Sequence, residues 1–261
     1  MDLDYFWKYT HNAYNFSTLL NTTITFPIAW HSSKLDGVTG RLSTTSLHGF
    51  QAYWTFGHTR ARYFPPETGG LVPQGAPLVN GVFRIDHDQA FQSTAVLRYQ
   101  HKNREWIAFT WRYDSGLVVS GIPDAGAAMG ILTPNQQVTI GLACNGVLAT
   151  LANPISDCVN ANGTMGKVTS KLITLPQGGY DNFPSQENDD HNPDRVMPRN
   201  VFNLGVGTDN LFHTEKRQRF TASLDIANLT NRVALYNFLS TFSGTHFLQP
   251  RSLVVRVGYV F

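Results

Sequence analysis

The sequence is short of charge, of cysteine and of long apolar runs, and each shortage closes off a class of protein. Lys, Arg, Asp and Glu supply only 15% of the 261 residues, against roughly 25% in ordinary soluble domains. The net charge is +2 and no Lys/Arg tract is present, so no electrostatic footprint for nucleic acid exists. No apolar run approaches the ~20 residues that a transmembrane helix needs, which excludes helical spans but leaves strand-built ones open. Amphipathic helical periodicity is also scarce, which argues against a helix bundle. Met1-Asp2-Leu3-Asp4-Tyr5 carries no basic segment followed by an apolar stretch. If the protein is exported, its leader is expected upstream of this start.

Patterns for catalysis and metal binding are missing as well. The 9 His residues show no His-Glu-x-x-His or other paired ligand spacing. No Gly-x-Ser-x-Gly elbow occurs, and Ser243-Gly244-Thr245 stands in a loop with no evident base. Asp86-His87-Asp88 reads as a polar turn ahead of a strand, with metal ligation as the weaker alternative. The acidic run Asp181, Glu187, Asp189, Asp190 and Asp194 has enough oxygen donors for Ca²⁺, but its spacing matches no calcium loop. A solvated loop is the better reading there. The expectation is therefore no enzyme, no cofactor and no metal.

What the chain does have is the material of strands and turns: 22 Gly, 12% aromatics, and many Thr, Ser and Asn residues. Period-2 alternation recurs along it. Leu253, Val255, Val257, Tyr259 and Phe261 share one face, opposite Val254, Arg256, Gly258 and Val260. Phe220, Ala222, Leu224 and Ile226 oppose Thr221, Ser223 and Asp225, while Phe202, Leu204 and Val206 oppose Asn203, Gly205 and Gly207. Ile107, Phe109, Trp111 and Tyr113 repeat the pattern, as do Ala95, Leu97 and Tyr99. So do Phe50, Ala52, Trp54 and Phe56, and Val38, Gly40 and Leu42 against Thr39, Arg41 and Ser43. Tyr5 to Tyr14 supplies a further strand.

The links between strands sort by length. Gln100 to Arg104 and His213 to Arg219 are short; Arg62 to Gln89, Leu117 to Arg199 and Asn231 to Arg251 are long. Pro65-Pro66-Glu67-Thr68-Gly69-Gly70 reads as a loop breaker within the first long link. Alternation alone fits a soluble β-sandwich as well as a membrane barrel. Long and short links in strict alternation are a property of the barrel, and a chain whose last residue is an aromatic on the apolar face fits its final strand. Arg98, Arg112, Asp225 and Arg256 fall on the polar side of their strands, as a barrel interior permits. Trp54, Phe64, Tyr180 and Phe242 are aromatics of strand tops and long loops, suited to an interfacial girdle or to ligand contact.

Cys144 and Cys158 lie 14 positions apart in a polar Gly/Asn-rich stretch. In an oxidising compartment a bridge closing a loop of about 15 residues contributes ~3 kcal/mol. Two unrelated thiols or a remnant metal pair are the alternatives.

The segment Leu224-Asp225-Ile226-Ala227-Asn228-Leu229-Thr230-Asn231, followed by Ser243-Gly244-Thr245 and Pro250-Arg251, resembles the C-terminal end of TonB-dependent outer-membrane receptors. Phe83 to Gln89, Trp111 to Gly116 and Asn192 to Arg195 resemble the subgroup with a carboxypeptidase-regulatory-like N-terminal domain. The resemblance implies an all-β, transmembrane antiparallel barrel in the cell outer membrane, of which residues 1–261 supply about eight strands with long extracellular loops. Plug and TonB-contacting segment are absent, so it implies the C-terminal part of a longer receptor. The function implied is TonB-coupled uptake of a scarce solute, with a non-transporting surface-binding barrel as the alternative. Leu253, Val255, Val257, Tyr259 and Phe261 would form the barrel-closing strand. The implied partners are outer-membrane lipid, the barrel-assembly machinery, an unidentified solute, and TonB through the absent N-terminal region.

Overall fold

A computed structural model describes residues 1–18, 25–69, 82–85, 88–102, 104–119, 125–175, 193–214, 218–240 and 244–261. In chain order these form β1 (Asp2–Thr18), β2 (Thr25–Ser43), β3 (Phe50–Gly69), β4 (Phe83–Arg84), β5 (Phe91–His101) and β6 (Glu105–Asp114). Then follow α1 (Ala125–Ile131), α2 (Pro134–Ile140), β7 (Ala143–Cys144), β8 (Val147–Leu148) and β9 (Val168–Thr169). The chain ends with β10 (Arg199–Thr208), β11 (Arg219–Ala227), β12 (Leu235–Ser240), β13 (Gly244–Phe247) and β14 (Ser252–Val260).

The protein is mostly antiparallel β-structure. One large sheet runs β1-β2-β3-β5-β6-β10-β11-β14, with β4 added to the upper part of β3. Each main strand pairs with its neighbour in the chain, so the sheet is an up-and-down meander. Among the described residues β1 pairs only with β2 and β14 only with β11, so the sheet is open, and closure into a barrel is not seen.

Register carries the alternation of single strands across the whole sheet. Ala52, Leu97, Phe109, Leu204, Ile226 and Leu253 form one continuous row. The row directly beside it is Gln51, Arg98, Ala108, Gly205, Asp225 and Val254. Successive side chains point to opposite faces, so one face collects aromatic and aliphatic residues and the other collects polar and small ones. A one-residue slip anywhere would exchange the two faces.

The links obey parity. Residues 44–49, 102–104 and 209–218 turn at one end, and 19–24, 70–90, 115–198 and 228–251 connect at the other. β1, β2 and β3, with 17, 19 and 20 residues, run past the 9 to 11 of the other main strands at the long-link end. This corrects the reading of Arg62 onward as a loop. Pro65 to Gly69 belong to β3, where register shifts between Ala29 and Ser32 of β2 interrupt the ladder. A bulged pairing tolerates prolines, which have no N–H to donate.

The described residues of the longest link, 115–119, 125–175 and 193–198, include two helices and a small sheet. α2 is short but well terminated: Thr133 and Gln136 form a capping box, Pro134 opens the helix, and Gly141 closes it at φ 64°. Buried Gln137 donates to the carbonyls of Met129, Leu132 and Ile155 and accepts from the Ile155 amide. One side chain thus ties α1, α2 and the following loop together. Around it, Met129, Ile140, Leu142, Val168, Ile173 and Val196 bury against Leu235 and Phe238 of β12. Among the described residues the largest cluster of buried hydrophobic side chains is therefore in this cap, built from two long links; a smaller set, with Ala13, Ile28, Ala29, Trp30 and Ala61, is buried on β1, β2 and β3.

Cys144 and Cys158 are bridged inside the cap, with Cα atoms 5.6 Å apart, within the ordinary range for a disulfide. Cys158→Ser is expected to destabilise the cap by about 3 kcal/mol. Amide hydrogen exchange checks this: cap amides should speed up while those of β5 and β6 keep their rates. Alkylation of the parent chain should label neither cysteine before reduction and both after it.

Candidate functional site

Two arrangements carry the chemistry of this fold: the polar face of the sheet, and a set of buried ion pairs where the strands meet the cap. The ion pairs begin with Asp88, whose side chain is fully buried. It accepts from the Ala61 amide at 2.7 Å, from Arg84 at 3.1 Å and from Arg195 at 2.5 Å. The other Arg195 nitrogen donates to the carbonyls of Asp88 and Gly116. Gly116 sits at φ +97°, and a Cβ there would lie 1.9 Å from the Val196 carbonyl oxygen. Only glycine allows the chain to pass this close to the returning segment.

Asp114, at the end of β6, forms the second centre. Arg199 at the start of β10 is its direct cross-strand partner, with Nη2 placed 3.0 Å from Oδ2 and both side chains about 1% exposed. Arg112 Nε approaches Asp114 at 3.0 Å, and Gln89 donates to it at 3.0 Å. Arg199 also donates to the Leu235 carbonyl and lies 4.8 Å from the Tyr236 ring centre. Two carboxylates thereby fasten the β3–β5, β6–β10 and β11–β14 links at one level. Arginine suits the task, because its planar fork serves several acceptors and its charge persists on burial.

Asn228 makes a third fastening. It adopts φ 49°, a left-handed conformation that Asn tolerates. Its amide donates to the Arg232 and Gln249 carbonyls, its oxygen accepts from Arg232, and its backbone N–H donates to Asn203. Asn231 then accepts from the Arg251 amide. The Asn-Leu-Thr-Asn segment therefore pins both ends of the last long link.

Three stretches quoted from the sequence only as resemblances, Phe83 to Gln89, Trp111 to Gly116 and Asn192 to Arg195, thus meet in one place through their described residues. Asp88, expected in a polar turn ahead of a strand, does lie in the link before β5 and is there a buried ion-pair centre; Asp86 and His87 lie outside the described residues. So do Asp181, Glu187, Asp189, Asp190, Tyr180 and Phe242. Asp194 is buried and its carbonyl accepts from the Val119 amide. Among the described residues, no group of His, Cys, Asp and Glu is placed to hold a metal ion.

Below this level lies the polar face. Arg98 stacks on Trp106 at 5.4 Å and Arg41 on Tyr53 at 5.1 Å. Trp106 in turn covers Gly205 and Gly207: a Cβ at Gly207 would lie 2.7 Å from the indole and one at Gly205 3.1 Å from it. Arg256 pairs with Asp225 across β11 and β14. The opposite face is apolar and uncovered. Trp7, Trp54, Leu97, Phe109, Leu253, Val255, Val257, Tyr259 and Phe261 are all exposed, with Val255 at 71%. Leu253, Val255, Val257 and Tyr259 of the expected closing strand share a face, paired through β14 with Ile226, Leu224, Ala222 and Phe220, and Phe261 follows directly after β14.

No family model, curated protein or solved structure matches the chain.

The burial of the ion pairs sets their energetic weight. Asp88→Asn strands the charges of Arg84 and Arg195 and is expected to cost about 3–5 kcal/mol. Asp225→Asn, at a solvent-exposed pair, should stay within about 1 kcal/mol. Denaturant midpoints of the two variants against the parent decide it, and equal shifts would contradict the assignment.

Proposed function

We propose that the chain forms part of the wall of a transmembrane β-barrel in the outer membrane, of receptor or transporter type. The observation that carries this reading is the apolar band. It crosses the main strands in register, with Trp7, Trp54, Leu97, Phe109 and Val255 exposed and Phe202, Leu204 and Ile226 half-exposed, while the largest cluster of buried apolar residues is gathered in the cap. In water a band of this size is a liability. In a bilayer it is the surface that lipid requires, with the polar face turned to the barrel interior.

The placement of the three longest links, 70–90, 115–198 and 228–251, at one end supports the same reading, since long links belong to the outer side and short turns to the periplasmic side. On this view the cap is an extracellular unit, consistent with its disulfide. The sequence resemblance supplies the rest of the proposal: a solute binds on the extracellular side, and coupling to TonB powers uptake. Insertion would involve the barrel-assembly machinery acting on the strand that ends in Phe261. A surface-binding barrel without transport is the second reading, favoured by the cap's own core and cross-link. No catalytic role is proposed.

Two measurements test the placement. Single-tryptophan variants reconstituted into vesicles with brominated acyl chains should show strong quenching for Trp54 and Trp111, on the band. Trp106, on the polar face, should show little. Equal quenching of the three, or none, would refute the membrane orientation. Independently, Phe261→Asp should leave synthesis intact and reduce the heat-modifiable, membrane-inserted form; unimpaired assembly would count against the role of the final strand.

A further inference from the structure

The sequence holds four Asn-x-Ser/Thr triplets: Asn15-Phe16-Ser17, Asn21-Thr22-Thr23, Asn162-Gly163-Thr164 and Asn228-Leu229-Thr230. In an exported protein this is the acceptor pattern for attaching an oligosaccharide to an asparagine amide. The fold treats the described ones differently. Asn228 is 3% exposed, and its amide nitrogen donates to the Arg232 and Gln249 carbonyls. Asn15 stands half-buried in the ladder of β1, opposite Ile28 of β2. An extended strand carries the residue two places on about 7 Å away, so the chain does not turn back on that amide. Asn21 lies outside the described residues.

Asn162 is presented for reaction. It sits at the tip of a tight hairpin in the cap, where Val159 bridges to Met165 and the Asn160 amide donates to the Thr164 carbonyl. Asn162, Gly163 and Thr164 are all exposed. The base of the hairpin is fixed, because Cys158 is bridged to Cys144 and Asn145 donates to Asn160. At the tip the chain folds back on the side chain: the Thr164 N–H and hydroxyl both donate to Asn162 Oδ1, at 3.1 and 2.6 Å. A backbone N–H can only donate, so the atom it meets is the amide oxygen. Nδ2 is thereby left free, with no hydrogen bond among the described residues. Asn160 Nδ2 donates to Thr164 Oγ1 at 3.0 Å and directs the hydroxyl proton toward Asn162. Hydrogen bonds in such a chain polarise one another, and two donors on Oδ1 make the Nδ2 protons more acidic.

We infer that Asn162 is a glycosylation site that takes an oligosaccharide from a polyprenyl-diphosphate-linked donor. Nδ2 forms a bond to the anomeric carbon, the bond from that carbon to the diphosphate oxygen breaks with its electron pair, and one amide proton passes to a base of the transferase. The inference rests on the reading that places the cap on the outer side, where an attached saccharide meets water.

The full chain, refolded in detergent micelles, is incubated with an oligosaccharyltransferase that recognises Asn-x-Thr and with a polyprenyl-diphosphate oligosaccharide, and glycopeptides are mapped by mass. Asn162 should carry the glycan while Asn15 and Asn228 stay bare; chain unfolded by heat should be modified at Asn228 as well. Asn162→Gln should abolish addition at the hairpin. Thr164→Ala should lower it by about tenfold or more, since an aligning group is lost, and Thr164→Ser should restore it. No glycan at Asn162, or equal modification of Asn162 and Asn228 in the unheated chain, would overturn the inference. Placement is read separately, in a Gram-negative host that exports the chain and carries the same transferase. Lectin should label intact cells. Glycan that lectin reaches only after lysis refutes the outward cap and leaves Asn162 the acceptor, whereas a chain cut by protease on intact cells yet bare at Asn162 refutes the acceptor alone.

Discussion

The sheet carries its apolar side chains on the face that the protein does not cover, and the rest of the structure follows from that constraint. A β-sheet of a soluble domain turns its apolar face to a second layer. Among the described residues no second layer covers that face: α1 and α2 belong to the cap, and Phe109, Leu97 and Val255 are exposed. With the apolar side committed outward, the other face must take the polar residues. It does so at every register row from Asp4 to Arg256. The largest core among the described residues lies beyond the ends of the shorter strands, where Ile140, Leu142, Val168 and Phe238 pack together.

A core at one end and strands below it need a joint, and the buried carboxylates provide it. Burying ions is costly, since desolvation offsets much of their attraction. Apolar packing at the joint would avoid that cost. It would not, however, satisfy the carbonyls of Asp88, Gly116 and Leu235 where three links converge, each of which accepts from an arginine. The ion pairs thus do two things at once: they close the backbone's hydrogen-bonding requirement and fix which link docks against which strand. Asn228 achieves the same end without charge, because its site holds only one link.

Much of the sheet was legible in the sequence because alternation with period 2 survives in single strands. The segments from Phe50, Ala95, Ile107, Phe202, Phe220 and Leu253 each repeat it without interruption, and link lengths then order them. Legibility failed where alternation breaks. Pro65-Pro66 reads as the end of a strand, yet β3 continues through it on a bulged pairing. α1 and α2 have 7 residues each, too few for a helical period to register, although the Thr133-Pro134-Asn135-Gln136 capping signal was available. Spacing raised the Cys144–Cys158 bridge. The ion-pair joint was invisible for a different reason: Asp88 and Arg195 stand 107 residues apart, and no local pattern links them. A polar cleft lined by Asp4, Thr39 and Gln92 is likewise a product of register, since these residues meet only when three pairings are known.

The two edges of the sheet complete the physical picture. β1 and β14 each present one row of backbone groups to no partner among the described residues. In hydrocarbon each unpaired group costs several kcal/mol, so a sheet of this kind enters a membrane only if both edges are paired. The strand directions suit that outcome, because β1 runs toward the long-link end and β14 away from it, so either edge accepts an antiparallel neighbour without reversing the meander. Closure of β1 on β14 would leave the upper half of β1 unpaired, as one has 17 residues and the other 9. It would also make an eight-stranded barrel, whose interior is only wide enough to be filled by side chains. Arg98 on Trp106, Arg41 on Tyr53 and an open cleft beside Gly57 are a poor fit to so narrow a space. In the proposed barrel, neighbouring strands on both edges would reconcile the free backbone, the unequal edge lengths and the uncrowded polar face at the same time.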